Sequence, residues 1–218
     1  MSAKMPTAIK LRIAARLLLL QVRWDPARMQ ATGLSFALEP WLRVCWGGEP
    51  EGLYAARLRH LGYLNTHPLA AWLLAGVICR GEAAAAASHG GEREIQIEKI
   101  QGVKTRLGAS LAGLYDSFFW GALRPASAIA GMLVALTVYR AGLPHALLAA
   151  VMMTVAIYNV PALVSRWLGL TRGFEKGEGA IAARVFLPIQ FWIRVLRGAA
   201  VGGALMIFLL GAAFLGST

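Results

Sequence analysis

One stretch of this 218-residue chain has the residue types for chemistry: Gly113-Leu114-Tyr115-Asp116-Ser117-Phe118-Phe119-Trp120-Gly121. It sets a carboxylate and a hydroxyl in a run that is otherwise small or apolar. A carboxylate at the centre of a bilayer costs roughly 2.5–3.5 kcal/mol on insertion scales, so such residues face a protein interior or a wet cavity. Asp116 can accept protons from two hydroxyls of a guest, Ser117 can add a further hydrogen bond, and the Trp120 indole can cover apolar C–H. That set suits a polyhydroxylated solute. Capping by Asp116-Ser117 and an interfacial belt position for Trp120 explain the same residues without a ligand. Gly113 and Gly121 let backbone bend or a neighbour approach closely. Arg124, followed by Pro125, reads as a base at a helix end within reach of Asp116.

A second polar cluster, Asn65-Thr66-His67-Pro68, interrupts two helical patterns. Proline near a helix start, preceded by Asn, Thr and His, is a capped N-terminus. Within a membrane, the same end would offer backbone N–H groups and polar side chains to a solute, as in transporters built from broken helices. Of the other histidines, His60, His89 and His145 read as surface or capping residues.

The elements that must position these clusters are membrane elements. Hydrophobic residues make up 57% of the chain, charged residues only 15%, and mean hydropathy is +0.56. A soluble domain carries about 25% charged residues. The net charge of +11 gathers beside apolar segments rather than among aromatics on a polar face, which argues for an anionic membrane surface and against nucleic acid. Cys45 and Cys79 have no metal-ligand spacing, and no P-loop, Rossmann glycine pattern or H-E-x-x-H motif is present, so neither metal nor cofactor is expected. No cleavable leader is legible, which predicts a cytoplasmic N-terminus.

The expected fold is an all-α integral membrane protein in one domain. Residues 1–64 should form cytoplasmic or interfacial helices. Ile9 to Trp24 reads as a basic amphipathic helix carrying Arg12, Arg16 and Arg23, and Asp25-Pro26 as the cap of a second helix running towards Pro40. Residues 65–125 should be re-entrant and bear the site, since Leu69–Cys79 is shorter than the about 20 residues of a straight crossing. Within them, 80–106 reads as a soluble excursion. Residues 126–218 hold the remaining apolar helices and a basic cytoplasmic loop, 166–197. Three crossings are expected, at about 121–139, 145–165 and 198–216, the last without a charge and with Gly198 and Gly202 as a packing face. Arg166, Arg172, Lys176, Arg184, Arg194 and Arg197 place their loop inside and the C-terminus, Ser217-Thr218, outside.

Four ordered motifs over most of the chain resemble the IID membrane subunit of the mannose/fructose/sorbose class of bacterial phosphotransferase systems. They are Trp24-Asp25-Pro26-Ala27-Arg28-Met29-Gln30; Arg59-His60 with Leu64-Asn65-Thr66-His67-Pro68; Gly102-Val103-Lys104 leading to Asp116-Ser117, Trp120-Gly121 and Pro125; and Gly173-Phe174-Glu175-Lys176-Gly177. The resemblance implies one half of an obligate IIC–IID unit in the bacterial inner membrane, assembled as a homo-oligomer of such units and moving a mannose-type hexose inward. Separate IIA and IIB proteins would carry the phosphate, and this chain, holding no catalytic residue, would make no bond itself. Ser110 stands where proline is usual, Tyr115 where glycine commonly precedes Asp-Ser, and Glu82 is alone where paired acids are common. The alternative reading is a scaffold or regulatory subunit of the same descent that no longer transports.

Overall fold

The computed structural model describes residues 4–182 and 189–215. Arg184, Ser217 and Thr218, on which the orientation expected above partly rests, lie outside the described residues. Among the described residues the regular elements are helices: α1 (Thr7–Leu17), α2 (Ala31–Trp46), α3 (Pro50–His60), α4 (Ala70–Ala87) and α5 (Gly90–Tyr115), then a π-helical segment (Asp116–Leu123). After it come α6 (Arg124–Arg140), α7 (Ala146–Lys176), α8 (Gly179–Ala182) and α9 (Ile189–Leu215). The chain divides into two compact units, one drawn from 1–113 and 165–185, the other from 114–164 and 186–218.

In the first unit, α1, α2, α3 and α4 pack together. Ala31, Leu34, Leu38 and Leu42 recur every three or four residues along α2 and are buried, as a helical stripe must be. Each large aliphatic side chain so covered stabilises the unit by about 1.5–3 kcal/mol relative to exposure. Pro40 sits inside α2, which continues through it to Trp46. The amphipathic first helix ends at Leu17, short of Trp24. Asp25-Pro26 does not begin a helix. The Asp25 carboxylate instead accepts the amides of Ala27 and Arg28 at 3.0 and 2.8 Å, closing a tight turn, and α2 starts at Ala31. That turn carries Met29 at φ 54°, a left-handed conformation uncommon for a side chain of this size.

Leu69–Cys79 is part of a longer helix, because α4 runs through Arg80 and Glu82 into the alanine tract. Carrying an acid through an apolar helix is possible here because Glu82 is matched internally, as described below. Backbones of α4 and α7 come very close within this unit. A Cβ on Gly76 would stand 2.4 Å from the Leu170 carbonyl oxygen, and one on Gly173 2.5 Å from that of Leu73. Trp41 locks the same corner, donating its indole N–H to the Cys79 carbonyl at 2.7 Å and meeting Phe174 edge-on at 5.3 Å.

The second unit is built from the π-helical segment, α6, the first part of α7 and α9. Gly131 faces Ala150 and Thr154 of α7, and Gly203 faces Ile129 of α6. Gly198 and Gly202, expected to be a packing face, have nothing within 4 Å of a built Cβ. In the windows of α7 and α9 with membrane-like hydropathy only 6% of residues are buried, which leaves large apolar faces open to lipid or another chain. Among the described residues, four helical runs are long and apolar enough, by length and composition, to cross a membrane: Ala70–Ala87, Gly90–Arg140, Ala146–Lys176 and Ile189–Ala212. Three of them overlap the crossings expected from sequence, over 121–139, 146–165 and 198–212, and Gly216 lies outside the described residues. The fourth is α4, whose window is 67% buried inside the protein.

Candidate functional site

The Asp116 motif forms the π-helical segment. Its backbone hydrogen bonds join residues five apart, a rare geometry that recurs at functional positions. Phe119, Ala122 and Leu123 point inward, while Asp116 is exposed, Ser117 half-buried and Trp120 56% exposed. Arg124 stacks over the Trp120 ring at 5.4 Å, and the ion pairs of the described residues do not include one between it and Asp116. The Gly121 carbonyl accepts the Arg197 Nε–H at 3.1 Å, and a Cβ at Gly121 would come 3.0 Å from that guanidinium. Gly121 therefore admits an arginine to a carbonyl. Gly113, at the edge of the first unit, has open space at its Cβ.

Tyr115, the bulky residue beside Asp116, is 1% exposed and turns inward, its ring 5.6 Å from that of Phe119. Trp120 and Arg124 line a groove of about 360 Å³ together with Ser127, Thr154, Tyr158 and Asn159. Sequence reading missed the last four. Asn159 was the available signal, an amide in an otherwise apolar stretch of α7, although part of it is spent on the Val155 carbonyl at 2.9 Å.

In the first unit, the second polar cluster is joined to the opening motif. Gln30, 4% exposed, accepts the Thr66 backbone N–H on its side-chain oxygen at 3.1 Å, and its own backbone N–H donates to the Leu64 carbonyl at 2.9 Å. Two motifs 36 residues apart thus share one turn. His67 Nδ1 accepts the Leu69 amide at 3.1 Å, so His67 caps the approach to α4, with Pro68 at the turn and Asn65 exposed. The Thr66 hydroxyl is enclosed, the residue being 3% exposed, and has no hydrogen-bond partner among the described residues. A buried hydroxyl left so costs about 1–3 kcal/mol, which a ligand, water or partner group would relieve.

Sequence reading overlooked the densest polar site. Glu82 is fully buried on α4 and accepts from three groups: the Trp46 indole N–H at 2.8 Å, the Arg59 guanidinium at 2.9 and 3.0 Å, and His60 Nε2 at 2.9 Å. Lys104 completes the arrangement by donating to the carbonyls of Arg59, His60 and Gly62 at 3.3, 3.4 and 2.9 Å, placing a cation at the C-terminal end of α3. Trp46 is flanked by the guanidinium groups of Arg59 and Arg93, 5.3 and 5.2 Å from its ring centre. His60 is therefore not a surface histidine. The signal for the cluster was the spacing of Glu82: Trp72, Ala75, Cys79 and Glu82 form one buried stripe of α4. His89 and His145 are exposed.

Burial holds His60 below its usual pKa of 6.5, against the opposing pull of Glu82, and Lys104 and Arg59 push the same way as burial. The neutral ring donates through Nε2, while Nδ1 has no partner among the described residues. Because the unfolded chain takes up this proton more readily than the folded one, the contribution to stability is complete above pH 6.5 and is lost as pH falls below it. Thermal unfolding of the wild type between about pH 8 and 5 should show this acid-side loss, and His60→Gln should flatten it. An unchanged slope in the variant would assign the pH dependence to other groups.

What fold and site define is a helical membrane protein with several apolar helices. A sequence model of the phosphotransferase-system mannose/fructose/sorbose family IID component matches residues 7–214, and the chain belongs to that family. The mannose-specific EIID component of Escherichia coli (strain K12) is 31% identical over 159 residues, 73% of this chain and 52% of that protein. The fructose permease IID component of Bacillus subtilis (strain 168) is 30% identical over 188 residues, covering 85% and 60%. The chain thus spans between about half and three-fifths of the length of these relatives. Among solved structures, a chain of the cryo-EM complex of the mannose transporter ManYZ with microcin E492 superposes with a TM-score of 0.70 at 28% identity, over 96% of this chain and 70% of that one. Among the described residues, no three His, Cys, Asp or Glu side chains are grouped to hold a metal ion.

Proposed function

We propose that this chain is the IID half of an integral membrane permease in the bacterial inner membrane, working with a IIC subunit to move a mannose-type hexose inward. In this reading IIA and IIB carry phosphate to the sugar, and the IID chain shapes the path without itself transferring phosphate. The observation that carries the proposal is the π-helical segment, which presents Asp116 and Ser117 and sets Trp120 at a groove beside Tyr158 and Asn159. A carboxylate, a hydroxyl and an indole face are complementary to the hydroxyls and C–H face of a sugar. The unsatisfied Thr66 hydroxyl offers a second polar contact in the first unit.

Asp116→Asn keeps the shape and removes the charge. It should abolish or strongly weaken hexose uptake by the complete complex while membrane insertion and co-purification with IIC stay normal; undiminished uptake would reject a ligand or gating role for Asp116. A complete wild-type complex that inserts normally and takes up no hexose from a broad panel would instead favour the scaffold reading.

A further inference from the structure

The groove between α1 and α2 is not used by the proposed sugar path. It has a volume of about 470 Å³ and is lined by Arg12 and Arg16 of α1, Glu39 and Arg43 of α2, and apolar side chains including Ile9 and Val44. The spacing explains the convergence: Arg12 and Arg16 are one helical turn apart, as are Glu39 and Arg43, and the two helices pack face to face.

The single acid does not cancel the bases. Glu39 accepts from Arg43 Nε at 2.6 Å and from Arg57 Nε at 3.0 Å, so one carboxylate is shared by two guanidinium groups. Those three groups leave one positive charge, and Arg12 and Arg16 raise the surplus to three. Arg16 is fixed in place by a bond to the Phe36 carbonyl at 2.9 Å and by lying 4.5 Å from the Phe36 ring centre. Arg12 is exposed. Fixed guanidinium forks are the groups that recognise phosphate oxygens, and the apolar lining suits the hydrocarbon of an ester rather than a bare ion.

We infer that the α1–α2 groove binds a phosphate-bearing anion, with Arg12, Arg16 and Arg43 on the phosphate and Ile9 and Val44 against the attached hydrocarbon, as in the headgroup region of an anionic phospholipid. This is a discrete, saturable site, distinct from diffuse attraction of a basic helix to a charged leaflet.

The test is equilibrium titration of the purified chain in neutral detergent with monomeric dihexanoyl-phosphatidylglycerol, its phosphatidylcholine counterpart and inorganic phosphate. The phosphatidylglycerol should bind saturably and more tightly than the zwitterionic lipid. Arg12→Gln and Arg43→Gln should each weaken it about tenfold, the loss expected for a hydrogen bond to a charged group. Arg12→Lys should retain more of the binding than Arg12→Gln. Since Arg12 is exposed, its variants should melt like the wild type. If inorganic phosphate binds as tightly, with the same sensitivity to both variants, the anion site stands and its source is soluble phosphate. Binding of neither anion above the phosphatidylcholine level, or binding untouched by both variants, would overturn the proposal.

Discussion

Glu82→Ala should leave little folded protein. The substitution strips the acceptor from the Trp46 indole, the Arg59 guanidinium and His60 at once, and the Arg59 side chain is only 7% exposed. Removing one partner of a buried ion pair typically costs about 3–5 kcal/mol, since the other charge is left uncompensated. Against a total stability of about 5–15 kcal/mol, that is enough to unfold a marginal membrane subunit. Glu82→Gln keeps the volume and one acceptor oxygen but loses the charge, so it should fall between alanine and the wild type. Fluorescence-detected gel filtration after graded heating reads all three. A wild-type profile for both variants would show that the network does not hold the first unit together.

The second large effect is expected at Gly76. A side chain there must enter the space occupied by the Leu170 carbonyl and, at 2.8 Å, the Phe174 amide, and both are backbone atoms that no rotamer change can move aside. Gly76→Val therefore has to separate α4 from α7 near Trp41 and Phe174. Overpacking of this kind costs about 1–3 kcal/mol and more when backbone must shift. Gly198→Val is the matched control, because its Cβ would meet nothing within 4 Å in the chain. In detergent the first variant should melt well below the wild type and the second close to it. Equal melting would mean that α4 and α7 separate at no cost. A loss of IIC co-purification confined to Gly198→Val would assign that open face to the partner.

These effects lie on positions that were unequally legible beforehand. The helical membrane character could be read directly, because long uncharged runs such as Gly198–Gly216 have few alternatives in a bilayer. The four motifs could be read for a similar reason, each being local and kept in order along the chain. Asp116, Ser117 and Trp120 stood out because polar groups in an apolar run are costly wherever the chain goes.

Which residues those motifs meet was a different matter. Gln30 reaches Thr66 across 36 residues, and Glu82 gathers Trp46, Arg59 and His60 across 36, 23 and 22. No spacing rule links such pairs. Their meeting depends on how α2, α3 and α4 pack and on the rotational phase of each helix, and a small change of phase would turn Glu82 away from its partners. The same dependence explains why α4 outran its apolar stretch: local composition counts Glu82 as a charge, whereas the folded chain neutralises it. By itself, then, the sequence determined the class of protein, its family motifs and the polar residues worth suspecting. Only the tertiary structure decided that Asp116–Leu123 winds as a π-helix, that Gly76 rather than Gly198 bears a close helix contact within the chain, and that Glu82 sits at the polar centre of the first unit. Side-chain cost is a property of one residue and its neighbours in sequence, but its relief comes from neighbours in space.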